Sequence, residues 1–430
     1  MRSSLLVLLV AALAACSTPP PPPTGSNGFS CDGEVCTVTG PILADLTFTA
    51  DKKWVLQGGV FVGDDTDPAA APTTLTIEAG TTIFGDTATL SFLLITRGSK
   101  INAEGTREQP IVFTSAGAAG ERVRGHWGGL VINGQAPVNG CSGTPCTLQG
   151  EAGTGVYGGD VDDDDSGVLR FVRIEFPGRL IDDENELNGV ALQGVGSGTT
   201  VDFVQVHKGA DDCIEFFGGT VSASHIVCTG IADDNVDWTF GWTGRAQFIV
   251  AQQHDDAGER GIEADNNEDN NALSPTSDPI LSNLTLIGGA ASNDGIKLRR
   301  GTRARIHNAV VTGFSACVGV DDAVTFDHLA AGGISISDSV FDCAATAVAA
   351  LDDPQDLEAF LTTPARNNEV VDAELEDPSN PVAPDFKLKA ASPARSGAVI
   401  PDDAFFEIVT FKGAVGDDDW TLGWTAYPAN

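Results

Sequence analysis

From residue 188 onward a five-residue pattern recurs at nearly constant spacing, and this repeat constrains the fold more than any other feature. NGVAL (188–192), DCIEF (212–216), DNVDW (234–238), RGIEA (260–264), DGIKL (294–298) and ACVGV (316–320) share one template, at offsets of 24, 22, 26, 34 and 22 residues. The third and fifth positions are apolar or small throughout. Period-two alternation turns those positions inward and the fourth outward. A second strand set follows each copy: FVQVH (203–207), SHIVC (224–228), QFIVA (247–251), NLTLI (283–287), HNAVV (307–311) and SDSVF (338–342). Antiparallel sandwiches also have short strands, but not this one-way register. The period suits a solenoid whose neighbouring coils bury one continuous core. The fold class expected is therefore all-β, a right-handed parallel β-helix.

Upstream, short apolar strands alternate with Gly, Asp and Asn turns, as in LTIEAGTTIFG (75–85), FLLITRGSKINAEGT (92–106) and GGLVINGQAPVNG (128–140). Helical periodicity is nearly absent before residue 350. After it, DPQDLEAFL (353–361) predicts a short helix with Asp353 near its N-terminus. The Pro-rich remainder reads as a capping segment folded against the last coils, because solenoid ends need cover. The expected organisation is a signal peptide at 1–15, a tether at 16–30, a β-helix at 31–350 and a C-terminal capping segment at 351–430.

The N-terminus points to export. Arg2 gives a minimal positive start, and the apolar stretch from Leu5 to Ala15 is too short to span a bilayer. It ends in Leu13-Ala14-Ala15-Cys16, which resembles a lipobox: small residues beside the cut and a thiol to carry diacylglycerol. Two or three acyl chains on Cys16 anchor far more firmly than one. Ser17 stands where Asp would resemble an inner-membrane retention signal, so outer-membrane delivery is expected, on the periplasmic or cell-surface face. Pro19 to Pro23 form a stiff polyproline spacer.

The formal charge of −36 excludes nucleic acid as a partner. Of nine cysteines, one goes to the lipid. The others fall in order as Cys31/Cys36, Cys141/Cys146, Cys213/Cys228 and Cys317/Cys343. Four local disulfides suit an oxidising compartment; zinc on the two C-x4-C pairs is the rival reading.

Several longer runs resemble a family of bacterial β-helix envelope lipoproteins. They are IEAGTTIFG…LLITRGSKINAEGTREQPIVFTS, GHWGGLVING, DSGVLRFVRIEFPG, NGVALQGVGSGTTVDFVQV, DDCIEFFGGTV, RGIEADN and the closing FFEIVTFKGAVGDDDWTLGW. The resemblance covers roughly residues 73–425. It implies fold and location, and hands over no catalytic residues.

Stacked coils place equivalent residues about 4.8 Å apart. The outward fourth position then forms a ladder of Ala191, Glu215, Asp237, Glu263, Lys297 and Gly319. The first position forms another, of Asn188, Asp212, Asp234, Arg260 and Asp294, flanked by Asp211, Asp233 and Asp265. Like charges at that spacing repel by about 1 kcal/mol per pair in water. Lys297, Arg260 and Arg299 can offset part of this. A Ca²⁺ ion, which favours clustered carboxylate oxygens, would offset more.

Three readings follow. One is a passive ladder, since turns favour Asp and Asn for backbone reasons. The second is a binding face built from Asp212, Glu215, Asp234, Asp237, Glu263 and Lys297. In it Asp212, Glu215, Asp237 and Glu263 hold Ca²⁺, beside exposed aromatics such as Trp242, for a carbohydrate or another envelope ligand. The third is a polysaccharide lyase or glycoside hydrolase. GADDCIEF and DGIKLRR loosely resemble segments of polygalacturonase-type β-helix hydrolases, although that family's Gly-His-Gly segment is replaced here by NVDWTFGWTG. There two carboxylates would act as acid and base, or Lys297 would abstract a proton. The partners implied are the membrane through the lipid, a polysaccharide and an outer-membrane transporter. His207, His225 and His254 fall in or just after second strands and receive no role.

Overall fold

The computed structural model describes residues 28–64, 71–150, 153–181, 186–349 and 356–430. The lipobox, Cys16, most of the tether and Asp353 lie outside them. Parallel strands wind into a right-handed β-helix. The template copies stack in the register expected. Val190, Ile214, Val236, Ile262, Ile296 and Val318 form one inward column, and Leu192, Phe216, Trp238, Ala264, Leu298 and Val320 the other. All are buried. Each large side chain so placed contributes about 1.5–3 kcal/mol through removal of apolar surface from water.

The second strands are longer than the motifs suggest, as in Thr200–His207, Ser222–Thr229, Arg245–Gln252 and Ile280–Ile287. Each bends at one left-handed residue, giving the coil a third face. Phe171, Phe203, His225, Phe248, Asn283, Asn308 and Asp338, with φ between 50 and 59°, occupy equivalent places on successive coils. This backbone costs an L-residue roughly 1–2 kcal/mol. Asn and Asp adopt it more readily than most residues. The aromatic members offset it by stacking: Phe171 on Phe203 at 4.4 Å, Phe203 on His225 at 4.1 Å, His225 on Phe248 at 5.0 Å.

All four disulfides pair sequentially: Cys31–Cys36, Cys141–Cys146, Cys213–Cys228 and Cys317–Cys343. Two differences concern helices. Ala323–Ala330 is helical, capped by Asp322, whose side chain accepts from the Thr325 N–H. A helix of eight residues leaves too short an apolar pattern to register against the strands around it. The later helix, Leu357–Thr362, takes Asp356 as its cap. No helix among the described residues is long and apolar enough to cross a membrane.

The C-terminal segment caps the last coil only in part. Helix Leu357–Thr362 does so, burying Leu357 and Leu361 in the main core. The rest runs back along the outside of the stack as a strap. Primary amides on the coils grip its backbone from both sides. Asn308 donates to Val399 O (3.0 Å) and accepts from its N–H (2.9 Å). Gln247 does the same with Glu407 (3.0 and 2.7 Å), and Gln205 with Ala426 (2.9 and 2.9 Å). Beneath the strap an outward column of Val227, Val250, Thr285, Val310 and Val340, with Ile287 beside it, packs its apolar members against strap residues including Phe386, Val415 and Trp424. That apolar column is why the segment lies lengthwise: a cap on the end alone would leave it in water.

Candidate functional site

The outward fourth-position column extends further than the motif. It runs Phe61, Leu94, Val131, Ala191, Glu215, Asp237, Glu263, Lys297, Gly319, Val348. Its first four members are apolar, and the loop carrying Val138, Tyr157 and Cys146 covers them in a satellite core with Phe217 and Leu187. The acids begin where that cover ends, so they sit in a half-enclosed cleft. Glu215 and Glu263 are buried and Asp237 is half-buried.

The acids divide into two groups. Glu263 is bound by the guanidiniums of Arg299 and Arg260, the latter at 2.5 Å. Asp265 takes Arg299 at 2.8 Å and Arg300 at 2.8 Å. Lys297 points the other way, to Asp294 (3.4 Å) and Asp321 (2.8 Å). Thus Glu263 and Lys297 share the column of the candidate set but are committed to partners above it.

The second group is Asp212, Glu215 and Asp237, each offering a carboxylate oxygen within 4.8 Å of the others. Asp212 Oδ1 accepts the N–H of Asp234 (2.9 Å), and Asp234 Oδ1 that of Arg260 (2.6 Å), so each first-position acid also ties the next rung. Asn188 Nδ2 donates to Glu215 Oε2 (2.5 Å). Asp237 Oδ1 and Asn188 Oδ1 are buried without a hydrogen-bond partner. Such orphaned oxygens cost about 1–3 kcal/mol each. Asp233 completes two further close groupings, one with Asp212 and Asp234, the other with Glu186 and Asp211.

The electrostatics follow from burial. Burial first, then Asp211, Asp237, Asp234 and Glu215, push the Asp212 carboxyl well above the usual carboxylate range. Burial, then Glu215, Glu263, Asp265 and Asp234, do the same to Asp237. Asp233 is pushed up to about 7 by burial and by a hydrogen bond shared with Glu259. Asp234 is also raised well above that range, by burial and then Glu263 and Asp233, against Arg260. A cation would reverse this ordering by favouring the ionised forms.

A cavity of 170 Å³ opens over Glu215 and Asp237 of this group. Its walls hold two aromatics that the motif reading missed, Phe217 and Phe240. Both lie one or two residues past a template copy, in the runs CIEFF and DWTF, where position alone does not separate core from cleft. Trp242, the aromatic the sequence suggested, is fully buried in the coil instead. It stacks on Phe216 at 3.9 Å and donates to Val221 O at 2.9 Å. Arg300 and Glu268 at the cavity edge also escaped notice, because they lie just outside the repeat. The histidines serve structure: His207 bridges Thr229 (2.7 Å) and Pro428 O (3.0 Å), and burial lowers it to about 3.

No curated protein matches the sequence. Among solved structures, the crystal structure of pectate lyase Pel9A aligns over 85% of this chain and 97% of its own, at 10% identity and a TM-score of 0.37. A family model described as a pectate-lyase-like β-helix domain matches residues 40–386, most of the chain, and the protein therefore belongs to that family.

Proposed function

We propose that the acidic cleft binds Ca²⁺ and, through it, a carbohydrate, on a protein carried at the outer membrane by lipid on Cys16. The observation that carries this is the grouping of Asp212, Glu215 and Asp237 around buried oxygens that lack partners. Hard, anionic oxygens at this spacing suit Ca²⁺, which takes 6–8 oxygen ligands and leaves positions for sugar hydroxyls. Asp212, Glu215 and Asp237 would hold the ion. Glu263, neutralised by its arginines, would shape the rim.

The test is a crossing of stabilities. In chelator, Glu215→Gln/Asp237→Asn is expected to melt above the wild type, because repulsion and desolvation of charge are relieved. With Ca²⁺ added the wild type is expected to overtake it, since ligand binding stabilises only the form that binds. Titration calorimetry should show Ca²⁺ uptake by the wild type alone. A passive ladder, which the Asp212–Asp234 and Asp234–Arg260 bonds would equally serve, predicts that the variant stays ahead in both conditions.

The raised carboxyls of Asp212 and Asp237 favour a second reading, a polysaccharide-active enzyme in which a protonated acid assists glycosidic cleavage. Release of reducing ends or unsaturated products from acidic polysaccharides would select it. Lys297 does not serve as its base, being engaged by Asp294 and Asp321 away from the acids.

For the anchor, Cys16→Ala is expected to move the protein wholly from the membrane fraction to the soluble fraction without detergent. Retention on membranes by the variant would remove the lipid from this proposal.

A further inference from the structure

We propose that Phe240 is the stacking wall of the cleft and that the ring it selects is an uncharged pyranose with adjacent hydroxyls, not a uronate. This rests on the Ca²⁺-dependent reading above and names its ligand class.

The position of Phe240 is built. It follows the strand Val236–Thr239 with φ 51° and is succeeded by Gly241 at φ 88°. Its N–H donates to Asn266 O (2.8 Å), and its carbonyl accepts from Asn139 N–H (2.9 Å). Two loops from distant parts of the chain thus hold this one residue. Phe217, from the preceding coil, lies behind it with centroids 6.3 Å apart and rings 20° from parallel. Phe217 is buried, whereas Phe240 is half-buried and lines the cavity. On the loop side stands Gly140, at φ 95°, where a Cβ would lie 3.4 Å from the Phe240 ring. A left-handed backbone at a bulky residue costs on the order of 1–3 kcal/mol. In the aromatic column of the bends, stacking through several coils offsets that cost. At Phe240 the ring has one aromatic neighbour among the described residues, Phe217, and lines the cavity.

Charge decides what the ring would stack on. Glu215, Asp237, Glu263, Asp265 and Glu268 line the cavity with Arg300, and Asp212 and Asp234 neighbour them. Three guanidiniums serve these seven acids: Arg300 pairs with Asp265 (2.8 Å) and Glu268 (3.4 Å), Arg299 with Glu263 and Asp265 (2.8 Å), and Arg260 with Glu263 (2.5 Å) and Asp234 (3.4 Å). One Ca²⁺ adds two positive charges, which still leaves the carboxylates in excess. A sugar carboxylate would therefore enter a rim that stays acidic, at a cost of several kcal/mol per close pair where water is partly excluded. A neutral ring avoids that. Its hydroxyls complete the ion's coordination, and its C–H face covers Phe240, removing apolar surface from water. The cavity is smaller than the roughly 300–1,000 Å³ of drug-sized pockets, so it receives one ring of a chain.

The experiment uses Ca²⁺-loaded full-length protein and matched tetramers: galactose against galacturonate, glucose against glucuronate, mannose against mannuronate. Calorimetry first measures Ca²⁺ alone, then each sugar. A neutral tetramer is expected to bind at least tenfold more tightly than its uronate partner. Phe240→Ala is expected to lose tenfold or more of that affinity with Ca²⁺ uptake unchanged, and Phe240→Trp to retain it. If Ca²⁺ binds but the uronate is preferred, no tetramer binds, or Phe240→Ala changes nothing, the stacking proposal alone fails. If the wild type takes up no Ca²⁺, the underlying reading fails and takes this proposal with it. The neutral-versus-uronate comparison needs only the wild type, so a variant that does not fold leaves the proposal open to refutation.

Discussion

Replacing Arg299 by Met is expected to destabilise the protein by about 3 kcal/mol, measured by urea denaturation at neutral pH. Arg299 is the shared partner of Glu263 and Asp265, both buried. Against the effect of burial, the carboxylates of Asp265 and Glu263 hold its guanidinium above the usual arginine range. Removing it leaves two acids in a cleft that already contains Asp237, with Arg260 and Arg300 to serve them. Breaking a buried pair costs about 3–5 kcal/mol because the remaining charge is uncompensated. The lower end applies here, since solvent still reaches part of the Arg299 side chain. The sign with pH is testable too. Burial already raises Glu263, and the variant removes one of the two guanidiniums that oppose that rise, so its deficit against the wild type should shrink as pH falls and Glu263 takes up a proton. Adding Glu263→Gln should recover much of the loss. A deficit independent of pH and unaffected by Glu263→Gln would mean that Arg299 acts through packing alone.

Trp242→Ala is expected to cost about 4 kcal/mol, within the 3–5 kcal/mol seen for buried Trp and Phe truncations. The indole is fully buried, stacks on Phe216 at 3.9 Å, meets Trp238 at 5.6 Å and satisfies Val221 O. Its loss opens a void in the coil and orphans a carbonyl. Ca²⁺ and sugar affinities per folded molecule are expected to stay unchanged. A drop in sugar affinity with little loss of stability would put Trp242 in the binding surface and contradict its place in the core.

The comparison of these two residues shows what the sequence could reveal. The template copies declared their register because an alternation of period two, repeated on successive coils, admits one stacking. The columns Glu215–Asp237–Glu263 and Asp212–Asp234 were therefore readable, as were the local disulfides. Trp242 and Phe240 sit two residues apart in the same aromatic run, outside the template, and no periodicity tells inward from cleft-facing there. What separates them is the contact of Phe240 with Asn139 and Asn266, which lie far apart along the chain. The left-handed bends were hidden for another reason: Phe, His, Asn and Asp all occupy them, so they share a backbone and no residue type. In the sequence the strap looks like an end cap, because its amide holders, Gln205, Gln247 and Asn308, resemble ordinary polar strand residues until the chain returns to meet them.

That return changes how the solenoid should come apart. A simple stack couples only neighbours and can fray coil by coil from either end. Here Arg107 holds Leu422 across 315 residues, Arg173 holds Trp424 across 251 and Gln205 holds Ala426 across 221. The strap can dock only when the coils it spans already exist, so it is a last step in folding with very high contact order. Unfolding must reverse that step first. The molecule should lose its coils together in one concerted transition, slowly, and persist by the height of that barrier rather than by equilibrium stability alone.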